Sequence, residues 1–381
     1  MMEKANQIST KARHPFVEDW APVIIPVESV AHPEAASELA LITAERMLMR
    51  EIPETGTGAQ HPERDRARRE PDPDMDFALS VARGLSDHPR RLDSRFLYDA
   101  HGSNIFERIC EQPEYYLTRT EATILASAAA DIARHTSELT LVELGSGSSI
   151  KTQLLLEAYA GLYGNVSYTP VDVSHSILVQ AEQQITAMFP SVRVHPLHGS
   201  YDDAFPLLPS LSPAMLLFLG STLGNLDAHQ ASLFWKKIAS HLMPGDFCLL
   251  GIDINEDAGS FHAAYNDAAG CSADFTRNLF ARMNRELGSS LDVGAIDHVA
   301  RYMPRWRRVE IFARFNREQR IEIAPLGSSF RIGRGETILT EVSRKFRLKQ
   351  MVPYLCTFRM KTERIYADRR RRFAALLLRK I

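Results

Sequence analysis

The residues best suited to chemistry form a short glycine-rich loop, VELGSGSSIKT, at residues 142–152. Glycines there let the backbone approach a ligand closely, because no Cβ lies in the way. The fingerprint of dinucleotide-binding sites needs a small residue three positions after Gly147, and this chain has Ile150 there. Lys151 and Thr152 lack the spacing and the preceding glycine of a phosphate-binding P-loop. The loop therefore predicts a close-fitting ligand site of another kind.

Two further segments are placed to complete that site. Asp172 follows a strand-like run, and its carboxylate is suited to accepting hydrogen bonds from the two hydroxyls of a ribose. A competing interpretation makes Asp172 a cap of the next helix, although Ser174 can fill that position. The segment FLGSTLGN at residues 218–225 follows another strand-like run. Together they fit a ligand with a nucleoside part lying across the strand ends.

The elements that position these loops alternate between strand-like and helical patterns from residue 118 to residue 254. Apolar runs predict buried strands at residues 140–144, 166–173, 192–197, 214–220 and 246–254. Helical patterns lie between them at residues 151–162, 175–189 and 228–243. This order is typical of a doubly wound parallel sheet, in which ligands bind beyond the carboxyl ends of the strands.

A second, smaller α+β unit is predicted beyond residue 255. A helical pattern at residues 272–287 precedes RRVEIFARF and QRIEI, which are predicted to pair as an antiparallel hairpin around residues 316–318. Near the carboxyl end, YLCTFRMKTERIYA and RRRRFAALLL are strand candidates that could complete the first sheet. At the other end, residues 1–75 are rich in proline and charge, with one helical pattern at residues 36–50, and are predicted to be a flexible, loosely attached extension.

Composition limits the classes of partner. The chain has 45 Lys and Arg residues against 47 Asp and Glu, a formal net charge of −2, so no global positive charge favours nucleic acid or anionic lipid. The 4 cysteines are widely spaced and the 13 histidines lack metal-ligand spacing, which predicts neither disulfides nor a metal site. No signal-peptide or membrane-spanning pattern is present. We expect a cytoplasmic monomer that binds a small molecule, with no nucleic acid or membrane partner.

The loop at residues 142–152 has the E-x-G-x-G form found in S-adenosylmethionine-dependent methyltransferases. Longer blocks are more specific, and they run from FLYDAHGSNIFERICEQPEYYLTRTEATIL through LVELGSGSSIKTQLLLEA, LFLGSTLGNL and AAYNDAAGCSADFTRNLFARMNREL to LTEVSRKF. In content and order these blocks closely resemble the histidine N-alpha-methyltransferases of ergothioneine biosynthesis. The resemblance covers most of residues 90–350.

The resemblance implies a fold, a domain organisation and a reaction. The fold class is α/β, with a Rossmann-like methyltransferase sheet and a smaller α+β substrate domain. The methyltransferase domain would comprise residues 119–254 and 346–381, and the substrate domain residues 76–118 and 255–345. The implied cofactor is S-adenosyl-L-methionine, and the implied reaction is stepwise trimethylation of the amino group of free L-histidine to hercynine.

The resemblance implies that five residues bind the cofactor, namely Gly145, Lys151, Asp172, Ser200 and Tyr201. In the loop near the adenine the family carries Asp-Phe, whereas this chain has Ser200-Tyr201. Tyr201 can still stack on adenine. Ser200 is a weaker acceptor for the adenine amino group than Asp, unless Asp202 takes over that role.

The positions that correspond to the family's substrate-binding residues are Tyr98, Tyr115, Gly220, Asn225, Tyr265, Ile311, Glu341 and Ser343. The resemblance implies that Asn225 and Tyr265 hold the amine and carboxylate of the amino acid. It implies that Glu341 and Ser343 contact the imidazole. Tyr98 and Asn225 are the expected catalytic residues, and the amine proton is expected to leave to water through Tyr98. Ile311 stands where family members carry Met, and its branched side chain reshapes that wall of the pocket.

Several alternatives remain open at this point. Apolar residues at helical spacing around Glu341 allow it to be a solvated residue on a helix. Another aromatic amino acid, such as tryptophan, is the second candidate substrate. A cofactor-binding homologue without catalysis would be expected to have lost pocket residues, and these are present. A dinucleotide-dependent oxidoreductase is disfavoured by Ile150.

Overall fold

The computed structural model describes residues 22–30 and 73–381, which form one large sheet, two smaller sheets and the helices around them. The strands are β1 (Val23–Ile24), β2 (Thr140–Leu144), β3 (Val166–Asp172), β4 (Val192–Val194), β5 (Leu197–His198), β6 (Ala214–Phe218), β7 (Phe247–Asp253), β8 (Ile296–Met303), β9 (Arg308–Phe315), β10 (Gln319–Ile323), β11 (Ser328–Ile332), β12 (Thr337–Arg344), β13 (Met360–Ala367) and β14 (Phe373–Lys380). The helices are α1 (Pro73–Ser86), α2 (Ala100–Glu111), α3 (Tyr116–Thr136), α4 (Gln153–Tyr163), α5 (His175–Met188), α6 (Tyr201–Ala204), α7 (Leu208–Leu211), α8 (Ala228–His241), α9 (Ala258–Tyr265), α10 (Cys271–Glu286) and α11 (Leu348–Cys356).

The large sheet has the order β1-β13-β14-β7-β6-β2-β3-β4, with β5 also paired to β3. Its β2, β3, β4, β6 and β7 are parallel, and β14 and β13 extend it antiparallel. This confirms the predicted α/β class with a Rossmann-like sheet completed by the carboxyl-terminal strands. The order of connections reverses between β2 and β6, so the loops after these two strands flank the crevice where such sheets bind ligands.

The strands form because their apolar side chains are buried on both faces of the sheet. Neighbouring residues of a strand point to opposite faces, and accordingly Met215 of β6 faces α3 and α4 while Leu216 faces α8. The predicted helices between the strands are confirmed as α4, α5 and α8, with small differences at their ends. The predicted strand at residues 192–197 is divided into β4 and β5, which pair with different parts of β3.

The second unit is built on the three-stranded antiparallel sheet β12-β9-β8, with α10 packed against β8 and α2. The predicted hairpin between RRVEIFARF and QRIEI is wrong, because both edges of β9 are occupied by β8 and β12. Strand β10 pairs instead with β11 as a separate two-stranded ribbon. One apolar cluster runs continuously from this unit to one face of the large sheet, and the division into two domains stays a prediction.

Residues 22–30 differ from the expectation that the whole of residues 1–75 is loosely attached. They add β1 to the edge of the large sheet, with the N–H of Ile25 donating to the carbonyl oxygen of Ile365 at 2.9 Å. Ile25 and Val30 are buried in the apolar cluster on the face of the large sheet that α8 covers. The predicted helix at residues 36–50 lies outside the described residues. Within residues 22–30 and 73–381, no helix is both long and apolar enough to cross a membrane.

Candidate functional site

The glycine loop after β2 forms a shallow cradle under an aromatic ring. Gly145 and Gly147 have φ of +68° and +51°, in the left-handed region that glycine tolerates best. The N–H of Gly147 donates to Oδ2 of Asp172 at 2.9 Å. A Cβ on Gly145 would lie 3.0 Å from the hydroxyl oxygen of Tyr201. The loop is therefore closely covered, and a larger residue at Gly145 would narrow the space beneath Tyr201.

Glu143 supports this loop from below. The side chain is buried, and both carboxylate oxygens accept from the hydroxyl of Thr152 at 2.8 Å. The hydroxyl of Tyr168 also donates to it. Burial raises the pKa of Glu143 to about 7, although these hydrogen bonds oppose the shift. Both oxygens of Glu143 therefore have hydrogen-bond partners inside the protein, and this acid of the E-x-G-x-G motif stabilises the loop.

Asp172 lies at the carboxyl end of β3, partly buried. Oδ1 accepts from the N–H of Ser174 at 2.9 Å, so Asp172 does bond to the start of α5, where the side chain of Ser174 makes no capping bond. Burial raises the pKa of Asp172, while the backbone N–H groups of Ser174 and Gly147 oppose the shift. A carboxylate has about four lone-pair sites, so acceptor capacity remains for a diol.

The loop after β5 holds Ser200 and Tyr201. The Ser200 hydroxyl and its own N–H both bond to Oδ2 of Asp203 at 2.7 Å. Asp202 points elsewhere, since both of its oxygens accept from the ammonium of Lys237 at 2.7 and 2.8 Å. The alternative that Asp202 accepts from the adenine amino group stays a prediction. Tyr201 is partly buried, with its ring edge-on to Phe218 at 5.6 Å between centroids.

A buried carboxylate connects the predicted cofactor and substrate sides. Glu121 of α3 is fully buried, pairs with the ammonium of Lys151 and accepts from the N–H of Gly220 at 2.9 Å on each oxygen. Burial alone would lower the pKa of Lys151, but the Glu121 carboxylate outweighs this effect and the pKa is raised. A Cβ on Gly251 would overlap Oε1 of Glu121. The sequence analysis missed Glu121, since a lone acid inside a helix carries no local motif.

Aromatic rings pack together as a cluster beside this point. Tyr98 packs edge-on against Phe106 and Phe275, with centroids 5.4 and 5.2 Å apart. Tyr115 packs edge-on against Tyr265 at 6.2 Å. Of these five rings, the sequence analysis missed Phe106 and Phe275, because isolated phenylalanines are usually core residues. Burial raises the pKa of Tyr98 well above its usual value, and so do the charges of nearby carboxylates on both sides of the site.

Strand β12 carries polar side chains close to this aromatic cluster. Glu341 is directly opposite Ile311 of β9, so the two side chains share one face, and Ser343 follows on that face. Glu341 is on a strand and partly buried, which overturns the interpretation as a solvated helical residue. Among the described residues its carboxylate has neither a hydrogen bond nor an ion pair. Burial raises the pKa of Glu341 to about 7, with Lys345 opposing the shift.

Lys345 organises the hydroxyl groups next to Glu341. Its buried ammonium pairs with Oδ2 of Asp253 at 2.7 Å and donates to the hydroxyls of Tyr265 at 2.8 Å and Ser343 at 3.0 Å. The two hydroxyls also bond to each other at 2.7 Å. Tyr116 donates to Asp253 at 2.6 Å. The sequence analysis missed Lys345 and Asp253, whose pairing is visible only in the folded chain.

Asn225 ends the short 3₁₀ turn Thr222–Asn225, which follows Gly220 at the end of β6. The turn touches β12, since a Cβ on Gly224 would lie 2.9 Å from the carbonyl oxygen of Arg344. The Asn225 side chain is partly buried and has no hydrogen bond to another described residue. The predicted cofactor residues thus lie at or after the carboxyl ends of β2, β3 and β5, and the predicted substrate residues lie after β6, on β9 and β12, beside α2 and at the end of α9. Their assignment to one site stays a prediction.

A family model described as histidine-specific methyltransferase, SAM-dependent, matches residues 77–380. The chain belongs to this family. The histidine N-alpha-methyltransferase of Mycolicibacterium smegmatis is 39% identical over 275 residues, which cover 72% of this chain and 86% of that protein. That of Mycobacterium tuberculosis is 38% identical over 267 residues, or 70% of this chain and 83% of that protein. The 4-dimethylallyltryptophan N-methyltransferase of Claviceps purpurea is 31% identical over 173 residues, or 43% and 50%.

The cofactor of this methyltransferase is S-adenosylmethionine, as the family description states and as the sequence predicted. The residues present fit it. The glycine loop leaves room beside Gly147, where a Cβ would have only Oε1 of Glu107 within 4 Å among the described residues. Asp172 keeps acceptor capacity for the ribose hydroxyls, and the nearby Tyr201 ring could stack on the adenine. Lys151 contributes a positive charge at the same edge of the sheet.

Proposed function

We propose that this methyltransferase transfers methyl groups to the α-amino group of free L-histidine, three times in succession, giving hercynine as a step towards ergothioneine. The description of its family and the names of its mycobacterial relatives support histidine as the substrate. The roles of individual side chains are part of the proposal.

The observation that carries the proposal is the carboxylate of Glu341, which has no partner among the described residues and lies beside the cluster of aromatic rings. A partly buried carboxylate without a partner is costly, and a ligand N–H compensates for that cost. An imidazole N–H supplies such a donor. Ser343 lies two residues along the same strand face, about 7 Å away. Its hydroxyl can donate or accept, so it suits the second ring nitrogen in either state.

The other end of the substrate would lie towards the cofactor. Asn225 has an amide without a partner among the described residues, which can contact the amine and carboxylate of one amino acid together. When bound, the cofactor supplies an electrophilic methyl group on a sulfonium centre. The task left to the protein is to align the amine, which is worth several orders of magnitude in rate.

Tyr98 would orient the amine and pass its proton to water. Burial holds the pKa of Tyr98 well above the usual value, so the phenol stays protonated and would act as a relay that takes up the amine proton as it releases its own proton to water. The faces of Tyr98 and Tyr115 favour a methylated ammonium product by cation–π attraction. This supports more than one transfer at the same amine.

The second candidate is N-methylation of tryptophan or a related indole, which the Claviceps purpurea relative makes relevant. An indole N–H could pair with Glu341, but an indole has no second nitrogen for Ser343. The Ser343 hydroxyl already bonds to Lys345 and Tyr265, so an indole would leave no unpaired group at this position. The preference for histidine rests on the family description and on the additional hydrogen bond that an imidazole can make to Ser343.

The test is a competition assay in which the protein, S-adenosylmethionine and a mixture of histidine, tryptophan, phenylalanine and tyrosine are incubated together and the products are identified by mass spectrometry. We expect methylated histidines, with the trimethylated form accumulating last. Ser343→Ala should reduce the preference for histidine over tryptophan. Preferred methylation of an amino acid without a ring N–H would refute the assignment of histidine, while the methyltransferase assignment would stand.

A further inference from the structure

A second carboxylate at the site, that of Glu107, has hydrogen-bond partners only in the hydroxyl and the backbone N–H of Ser148 among the described residues. Glu107 lies on α2, partly buried, and Oε2 accepts from the Ser148 hydroxyl at 3.1 Å. A Cβ on Gly147 would lie 3.8 Å from Oε1 of Glu107. This carboxylate is therefore held against the glycine loop from outside the large sheet, across the cradle from Asp172.

Glu107 has no cationic partner among the described residues, whereas Glu121 and Asp253 near the site each have one. Glu121 pairs with Lys151, and Asp253 pairs with Lys345. Burial raises the pKa of Glu107, with the Ser148 hydroxyl and the charge of Lys151 opposing the shift. Desolvating a carboxylate without a cation is costly, so the position favours a ligand that brings a positive charge.

The cofactor carries such a charge at its methionine end, which has an ammonium and a carboxylate group. In the E-x-G-x-G form that the loop resembles, the loop faces this end of the cofactor, and Glu107 lies beside Gly147 of that loop. We propose that Glu107 binds the ammonium of the methionine portion of S-adenosylmethionine, so that α2 supplies a cofactor contact in addition to its aromatic contribution to the substrate pocket. The proposal rests on the cofactor assignment and adds a positioning residue to it.

Calorimetric binding to the full chain tests this proposal without measuring turnover. The two ligands are S-adenosylhomocysteine, which keeps the amino-acid end, and 5′-methylthioadenosine, which lacks it. Glu107→Gln should weaken S-adenosylhomocysteine binding about tenfold or more, because a charge-assisted hydrogen bond is lost. The affinity for 5′-methylthioadenosine should change little. Glu111→Gln is the matched control, since Glu111 is exposed one turn further along α2, and it should leave both affinities unchanged.

Each other outcome overturns the proposal in a recognisable way. An equal loss for both ligands would make Glu107 a structural support of the loop. Unchanged affinity for S-adenosylhomocysteine would place the ammonium elsewhere, and a loss confined to histidine binding would assign Glu107 to the substrate. If the wild-type protein bound neither ligand, the cofactor assignment itself would fail. If the wild-type protein bound both ligands but Glu107→Gln caused no selective loss, this proposal alone would fail.

Discussion

Replacing Glu341 by Gln should change stability and activity in opposite directions. Burial raises the pKa of Glu341 from 4.5 to about 7, so the folded protein holds this proton more tightly than the unfolded chain does. The wild-type protein therefore loses stability as the pH rises from 4.5 through 7. Each pKa unit corresponds to about 1.4 kcal/mol, so the full difference would be about 3 kcal/mol. Part of the side chain reaches solvent, which screens the charge, and we expect about 2 kcal/mol.

The assay is urea unfolding of the wild type and of Glu341→Gln at about pH 5 and about pH 8. Near pH 5 the wild-type carboxyl is largely protonated in the folded state, so the two proteins should have similar free energies of unfolding. Near pH 8 the variant should be more stable by about 2 kcal/mol, because it does not hold a buried charge. Glu322→Gln is the control, an exposed glutamate on β10, and it should show no such gain.

The same substitution should lower kcat/KM for histidine by about tenfold, because an amide oxygen is a weaker acceptor than a carboxylate for the ring N–H. The gain in stability separates this loss from misfolding. A pH-independent difference in unfolding free energy, or undiminished histidine methylation, would refute the placement of an unpaired carboxylate in the ring pocket.

Three further predictions follow from the same geometry. Asp172→Ala should weaken S-adenosylmethionine binding about tenfold or more in calorimetry, since the ribose loses a charged acceptor, and unchanged affinity would remove Asp172 from the site. Asn225→Ala should lower kcat/KM about 100-fold through misplacement of the amine, and activity within a few-fold of wild type would mean that other residues hold it. Deleting residues 1–30 should lower the free energy of unfolding in urea by about 3 kcal/mol, because Ile25 and Val30 lose their burial, and equal stability would show that β1 is dispensable.

The large sheet could be predicted because its strands are short apolar runs buried on both faces, separated by helices with a clear period. Pairing between distant segments could not be predicted in the same way. Strand β9 has alternating side chains that suit a hairpin with β10, but the partners that it finds are β8 and β12. Which edge a strand uses depends on tertiary packing, and β12 begins well after β10 in the chain.

The residues of the candidate site also differ in whether a local sequence motif could predict them. The glycine loop and Asp172 have local motifs with a physical reason for their spacing, while Glu341 and Asn225 were identified only through long blocks that resemble a family. The adenine-binding role of the family's residue could not be assigned to Ser200 from its sequence position alone, because the Ser200 hydroxyl is bonded to Asp203. Glu121 had no signal at all, since its role depends on Gly220 and Lys151, which are distant in sequence.

The buried ion pairs around the site connect the elements that carry the predicted cofactor and substrate residues. Glu121 holds the Lys151 ammonium and the Gly220 N–H on one carboxylate, so the ends of β2 and β6 are fixed relative to each other. Asp253 at the end of β7 holds Lys345, which follows β12. Removing one member of such a pair typically costs about 3–5 kcal/mol, because the other charge stays buried. Displacement on a methyl group requires the amine and the sulfur to lie in line. The two buried ion pairs at the carboxyl ends of β6 and β7 would hold the surrounding elements in place for that alignment.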